Sequence, residues 1–423
     1  MHPATSPPAA ATVAGLVQLP CRYRARAWWG DQLVADSAVT VRVEEPGQRA
    51  ALYFPRSDVH VDLLRDEGRR VSCPIKGTAQ LWTLPDGGQD GAWCFTEPSA
   101  GLAWLSALIG FDHDRVRVEL VDAVDGDDPR DVTVKRFPTW GDAADLIDIL
   151  DVRPAGERRY VSVARADQVR PVVEGSQMLA QAVVAAGRHA PGRRVVSAHM
   201  TFMRPADPGM PLQFDLEELS AGRTFTTLAI KVSQADRVRA AGTLLLDVTA
   251  PDLIRHEAPP PPCAGPYESA PYDMSVTGRD IRMVDDAYTD DARAPAGPPV
   301  LDSWVRFREV PDDPSLHAGL LVQYTGHLSI AAALRPHEGI GQSQAHRTVS
   351  MGVNAIALSL HRDARADRWM RYHHSSTFAG DGMTHSECRV YAEGGDLLAS
   401  FTVDAMVRAF GDAGRAVDAR TAI

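Results

Sequence analysis

Apolar and polar residues alternate in short segments over 33–43, 50–54, 59–64 and 116–121, which predicts strands, because side chains two apart share one face of a sheet. One stretch in this region, 99–110, departs from the alternation and predicts a helix. The pattern changes at 175–186, where Met178, Ala182 and Val183 with Ala185 and Ala186 make a largely apolar helix of small residues that can lie close against a sheet. Alternation returns at 194–204, 211–220, 223–235 and 237–248, with a tight hairpin connection predicted at Ala221-Gly222. The order then repeats: a helix over 314–334 with a break at Thr325-Gly326, followed by strands near 348–360, 369–377, 383–391 and 397–408. A β-rich region is therefore followed by two helix-then-sheet units in tandem, although residue identity between the two is weak.

These segments predict an α+β chain with a β-rich domain over 16–135 and helix-and-sheet domains over 150–255 and 300–412. A connection over 256–299 separates the latter two; it is rich in Pro, Gly and Asp, includes Pro259 to Pro262, and lacks sustained periodicity. With 423 residues, 44% of them hydrophobic, the chain has material for several cores. Acidic residues exceed basic ones to give a net charge of −11, and no basic cluster is interleaved with aromatics, which argues against a nucleic-acid partner. No run of about 18 apolar residues occurs, and the N-terminal Pro/Ala stretch has no signal-like apolar core, so a soluble, cytoplasmic protein without a membrane partner is expected. The five cysteines, Cys21, Cys73, Cys94, Cys263 and Cys388, form no CxxC pair and are read as reduced thiols. His373-His374 and His385 do not make a metal site, since adjacent histidines on a strand point oppositely; no metal and no cofactor is expected. Gly87-Gly88 and Gly394-Gly395 are hairpin glycines, because no Lys-Ser/Thr follows either pair.

The segment Ser197-Ala198-His199-Met200-Thr201-Phe202-Met203-Arg204-Pro205-Ala206-Asp207, preceded by Glu174-Gly175-Ser176-Gln177, resembles the first-half signature of the acyl-CoA thioesterase II family. The second half is similar to that family through Trp304-Val305-Arg306, Pro311-Asp312-Asp313-Pro314, Leu334-Arg335-Pro336-His337, His361-Arg362, Asp367 to Tyr372 and Leu397-Leu398-Ala399-Ser400, in order. The resemblance implies a double hotdog: two long central helices, each wrapped by an antiparallel sheet, with an acyl chain bound between helices and sheets. It further implies an acyl-CoA or acyl-carrier-protein substrate and a homo-oligomer built through the sheets. Family members hold a water against the thioester carbonyl with an Asp, a Thr or Ser, and a Gln, because attack needs an oriented nucleophile and donors at the developing oxyanion. Carried over by position, the Asp falls on His327, the Thr/Ser on Val353 (Gly352 or Met351 if the register slips), and the Gln on Val403. Gly175, Gln177, Val353 and Val403 are then the implied substrate-binding positions. Aliphatic side chains neither orient water nor stabilise an anion, so two of the three roles cannot be filled as in the family.

His327 is a candidate general base, since imidazole titrates near neutrality; the alternative is a helix-face histidine bonded to backbone. Asn354 and Ser350 flank one lost position and Asp404 neighbours the other, so each is a candidate replacement, although strand alternation turns a residue next to a cavity-facing one away from it. In the first region, Tyr53-Phe54-Pro55-Arg56-Ser57-Asp58-Val59, Cys73-Pro74-Ile75-Lys76-Gly77, Trp82 and Ala92-Trp93 resemble domain of unknown function family 427 over 23–122, which implies a compact β-rich domain. There Cys73 with Lys76 is a candidate nucleophile pair, because a nearby ammonium favours the thiolate; a small buried Cys in a turn is the alternative. Asp58 and His60, two apart, are predicted on one strand face. The functional expectation is a reaction on an acyl thioester: hydrolysis, or with His327 as base a dehydration, isomerisation or cyclisation. The competing expectation is an acyl-binding or oligomerising module with any chemistry at Cys73 and Lys76.

Overall fold

The alternating segments of the first region pair into two antiparallel sheets. In a computed structural model of the chain, the described residues are 12–13, 16–20, 24–44, 51–84, 90–113, 115–122, 133–136, 143–164, 172–271, 279–287, 295–307, 310–345 and 348–409. They divide into two units, Met1–Asp142 with Tyr267–Thr277, and Ala143–Pro266 with Gly278–Ile423. In the first unit an eight-stranded sheet includes the strands Ala51–Pro55, Leu108–Phe111, Ala92–Pro98, Gly77–Thr83 and Arg65–Cys73 in that spatial order, and a four-stranded sheet includes Arg117–Asp122, Arg24–Trp29 and Gln32–Ser37. Strand Ala51–Pro55 is buried on both faces: Leu52 and Phe54 join a cluster with Trp82, Ile109 and Phe111, whereas Tyr53 points to the other side, with Phe95 and Leu105.

Two local expectations in this unit are corrected. The predicted helix over 99–110 is a short 3₁₀ helix, Ala103–Ala107, followed by the strand Leu108–Phe111. Leu108, Ile109 and Gly110 pair with Pro55, Phe54 and Tyr53, and sheet pairing of these apolar residues outweighs any local helical preference. The predicted strand over 59–64 is instead two 3₁₀ turns, Arg56–Asp58 and Val61–Leu63, joined at Val59, which makes a single bridge to Ala35. Asp58 and His60 therefore do not share a strand face; the backbone N–H groups of Val59 and Leu63 close local turns onto Arg56 and His60.

The second unit places helix α1 (Ala143–Leu150) and a hairpin, Arg153–Gly156 with Arg159–Val161, ahead of helix α2 (Gly175–His189). Residues 176–186 of α2 are all buried, among them Met178, Leu179, Val183 and Val184. Burial of each larger apolar side chain contributes about 1.5–3 kcal/mol, so this face fixes the helix against the sheet. The strands follow in the spatial order Gln213–Ala221, Phe225–Gln234, Arg237–Asp247, Arg194–Phe202, Val349–Leu360, Leu397–Ala409, Met383–Ala392, Met370–Gly380, Val300–Phe307 and Arg279–Met283. The expected pair of separate sheets is thus one continuous antiparallel sheet, joined where Arg194–Phe202 pairs with Val349–Leu360 from Ser197↔Ser359 to Thr201↔Ala355.

The second central helix is not one long rod. Helix α3 (Pro314–Gln323) starts at Asp313, whose Oδ1 accepts from the Ser315 N–H at 2.8 Å, with Pro314 filling the first turn where no donor is needed. It ends in a 3₁₀ turn, Tyr324–Gly326, and a second short helix, α4 (Ser329–Leu334), resumes beyond His327 and Leu328. Among the described residues no helix is long and apolar enough to cross a membrane.

Candidate functional site

The helix break is built from local backbone chemistry. Thr325 Oγ1 donates to the Val322 carbonyl at 2.7 Å, competing with the helical ladder, and Leu328 adopts a left-handed conformation with φ +66°. A left-handed Leu is sterically costly and is held only where surroundings over-determine it. Between them His327 is extended (φ −94°, ψ 150°). Gly326 is required because a Cβ there would meet Ser176 Oγ at 2.4 Å, so the turn sits directly on the first residues of α2. Gly175 likewise leaves room for the Phe202 ring, which would lie 2.9 Å from an added Cβ.

His327 has only 4% of its side chain exposed and faces a closed ring of polar groups. Arg279 Nη1 lies 3.4 Å from His327 Nε2 and donates to Gln323 Oε1 at 3.2 Å. Gln323 Nε2 donates to Glu174 Oε2 at 3.2 Å, and that oxygen is 3.7 Å from His327 Nε2. Each member comes from a different element position: Glu174 precedes α2, Gln323 ends α3, His327 follows the turn, and Arg279 opens the buried strand Arg279–Met283. A guanidinium only donates, so a ring that accepts from Arg279 at Nε2 carries its proton on Nδ1, whereas a ring protonated at Nε2 faces the Glu174 carboxylate. Tyr324 closes the ring from one side: its ring is edge-on to His327 at 4.8 Å and lies 5.5 Å from the Arg279 guanidinium. Burial pushes the Tyr324 phenol up to about 12, so it stays protonated at neutral pH.

Beyond the ring, the sheet face that meets α3 and α4 is unusually polar. Tyr372 donates to the Leu321 carbonyl at 2.8 Å, and Ser386 donates to the Ser329 carbonyl at 3.2 Å. On the same face His374 Nδ1 is 3.2 Å from Cys388 Sγ. Burial drives the His374 imidazole down to about 3 and the Cys388 thiol up, so both are neutral and the thiol is not a nucleophile.

The sequence candidates fall in different places. Val403 is buried and pairs across the sheet with Ser386, which bonds the start of α4 two residues past His327, so this pair of positions shares one neighbourhood. Val353 is partly buried and pairs with Ala405; Asn354 is the extra residue where the register shifts between Val353 and Ala355, and its Oδ1 is buried without a hydrogen-bond partner. Simple alternation therefore fails at Asn354. Asp404 stands on the outer face, half exposed, with Oδ1 2.6 Å from His385 Nδ1, and is turned away from the helices. Gly175 and Gln177 open α2, and Gln177 is buried. In the first unit the Lys76 backbone N–H donates to Cys73 Sγ at 3.4 Å, whereas the Lys76 ammonium lies 5.5 Å from the centre of the Phe95 ring. Both residues are partly buried, and Cys21 lies outside the described residues. Among the described residues no group of His, Cys, Asp and Glu is arranged to hold a metal ion.

Sequence reasoning missed Arg279, Gln323 and Tyr324, and gave Glu174 no role. Gln323 stands four residues before His327, one helical turn, which is a usable signal. Arg279 lies in a stretch without periodicity, and no signal pointed to it.

Comparison with known proteins agrees with the hotdog fold. Residues 164–246 match the acyl-CoA thioesterase N-terminal domain family, 257–407 the acyl-CoA thioesterase C-terminal domain family, and 18–122 the domain of unknown function DUF427. Acyl-CoA thioesterase 2 of Haemophilus influenzae is 22% identical over 254 residues, 56% of this chain and 87% of that protein. Human acyl-coenzyme A thioesterase 8 is 23% identical over 261 residues, covering 55% and 80%. Among solved structures, the tesB protein of Mycobacterium avium subspecies paratuberculosis superimposes with a TM-score of 0.53 at 22% identity, over 63% of this chain and 99% of that one. A hot dog fold protein of unknown function from Alicyclobacillus acidocaldarius does so with a TM-score of 0.51 at 16% identity, over 62% and 97%. Residues 164–246 and 257–407 are thus an acyl-CoA thioesterase N-terminal and C-terminal domain in tandem, preceded at 18–122 by a DUF427 domain.

Proposed function

We propose that residues 164–407 form an enzyme acting on acyl thioesters, CoA-linked or carrier-linked, in which His327 is the proton acceptor. The observation that supports this reading is the position of His327: a buried imidazole at the break of the second central helix, held among Glu174, Gln323 and Arg279 where relatives would carry an Asp. A neutral imidazole accepts a proton near physiological pH, and enclosure strengthens every charge interaction around it. Family membership favours water as the proton source, which makes the reaction hydrolysis with release of the free thiol. The aliphatic pair Val353 and Val403 favours a second reading, in which His327 takes a proton from the acyl chain beside the carbonyl and the thioester survives as an isomerised, dehydrated or cyclised product.

Both readings are tested by incubating the protein with a panel of acyl-CoAs, following thiol release by a chromogenic reagent and the acyl group by mass spectrometry. His327→Ala should lower kcat/KM by about 10²–10⁴-fold, the usual contribution of a positioned acid-base group. Thiol release identifies hydrolysis, and a mass-shifted or rearranged thioester identifies the second reading. A parent protein that leaves every thioester unchanged would refute both.

A further inference from the structure

We infer that Arg279 is the electrophilic group of this site, the donor that takes charge from the thioester oxygen in place of the polar residues lost at 353 and 403. The inference rests on the reading of His327 as proton acceptor and extends it to the other half of the reaction.

Arg279 Nη1 spends one N–H direction on Gln323 Oε1 at 3.2 Å and another on His327 Nε2 at 3.4 Å. The second contact is the longer one, and it covers the lone pair that a base must use. A base so covered is idle until something else accepts that N–H. A thioester carbonyl oxygen is such an acceptor, and a guanidinium, permanently charged, is a stronger donor to a developing oxyanion than a neutral amide. Substrate arrival would thus do two things at once: engage Arg279 and uncover Nε2.

The step balances within the groups present. In hydrolysis, Nε2 takes a proton from water as the water oxygen bonds to the carbonyl carbon, and the carbonyl π pair moves onto oxygen, where Arg279 N–H groups hold it. The pair then returns, the C–S bond breaks, and the departing thiolate takes the proton from Nε2. In abstraction from the acyl chain, the same N–H groups hold the enolate oxygen. Glu174, with Oε2 3.7 Å from Nε2, stabilises the imidazolium that exists in between, and Gln323 holds Glu174 and Arg279 at a fixed spacing. Glu174 and Gln323 are therefore positioning residues. Among the described residues, the charged and titratable groups that face His327 include Glu174 from the approach to α2, Arg279 from its strand and Tyr324 from the turn, and Tyr324, pushed up to about 12 by burial, stays neutral.

The test uses the full chain, on whichever acyl-CoA the parent turns over. Arg279→Met should lower kcat by about 10²–10³-fold, the usual cost of losing an oxyanion donor, with KM changed by less than about fivefold. Arg279→Lys should recover part of that loss, since it keeps the charge without the fork. The two charges also move the ascending limb of the kcat/KM pH profile in opposite directions: Arg279→Met shifts it to higher pH and Glu174→Gln to lower pH. A purely structural arginine would not produce that pair of shifts. If Arg279→Met does not fold, Arg279→Lys and Glu174→Gln carry the same test. Arg279 variants with kcat within about threefold of the parent, or with the whole loss in KM, would overturn the inference while an inactive His327→Ala left the reading of His327 intact. A parent inert toward every thioester would remove both together.

Discussion

The two halves of the hotdog unit share an outline and differ in what they bury. In the first, α2 is a continuous helix whose buried residues are small or apolar apart from Ser176, Gln177 and Gln181, and the strands of that half bury Phe214, Leu228, Ile230, Val232, Leu244 and Leu246. In the second, the helix breaks at Tyr324–Gly326, and the strands bury Ser303, Tyr372, His374, Ser386 and Cys388. A buried polar group without a full set of partners costs about 1–3 kcal/mol, so a polar interior is not neutral drift from an apolar one. The first half's sheet face against its helix is the more apolar, and the second half's is the more polar.

That contrast can be broken by separating stability from turnover. The largest effect is expected from Leu228→Ala in the first half: about 2–5 kcal/mol less stable to urea, because a fully buried Leu leaves a cavity, yet with kcat unchanged for the fraction that remains folded. A fall in kcat there would mean that the site depends on the first half's sheet as well as on Glu174 at the approach to α2. Next comes Gly326→Ala, where the added methyl collides with Ser176 and should cost about 1–3 kcal/mol by overpacking. Because the collision displaces the turn that carries His327, kcat should also fall by about tenfold to a hundredfold. Urea titrations together with steady-state rates check both variants.

The smallest effect is pH-dependent. His374 is driven from 6.5 to about 3 in the folded state by burial, so it is neutral when folded and protonated when unfolded over that interval. The unfolded chain binds the extra proton, and stability falls as pH drops from about 6.5 towards about 3, by at most about 1.4 kcal/mol per pH unit from this residue. Replacing it, His374→Phe, should flatten the change in urea midpoint between pH 7 and pH 5. An unchanged slope would show that the second half's polar interior is not what makes the fold acid-sensitive.

Much of this architecture was legible before any coordinates. The period-two segments gave the strands of both halves, the small-residue face gave α2, and Thr325-Gly326 marked the break, because a helix interior tolerates neither a competing hydroxyl nor a glycine without cost. His327 itself was visible only through the family resemblance, since an isolated histidine carries no periodic signature. Arg279 was invisible for a physical reason: its strand, Arg-Asp-Ile-Arg-Met, is buried throughout although three of its five residues are charged, Asp280 pairing with Arg306 of the next strand at 2.5 Å, so it shows no alternation. Asp404 shows what alternation alone can give: next to a cavity-facing position, it stands on the outer face with His385. In the first unit, the apolar spacing of Val59, Val61 and Leu63 fits a strand and a pair of 3₁₀ turns alike, and the tertiary bonds chose the turns.

The ladder between Arg194–Phe202 and Val349–Leu360 has a bearing on how this protein can be dissected. A truncated product ending near residue 256 would display the Arg194–Phe202 edge as a row of unsatisfied amides and carbonyls, an invitation to self-assembly or aggregation. Splitting the tandem repeat into independently expressed pieces therefore sacrifices solubility, and cooperative melting of both halves in one transition is the natural behaviour of the intact sheet.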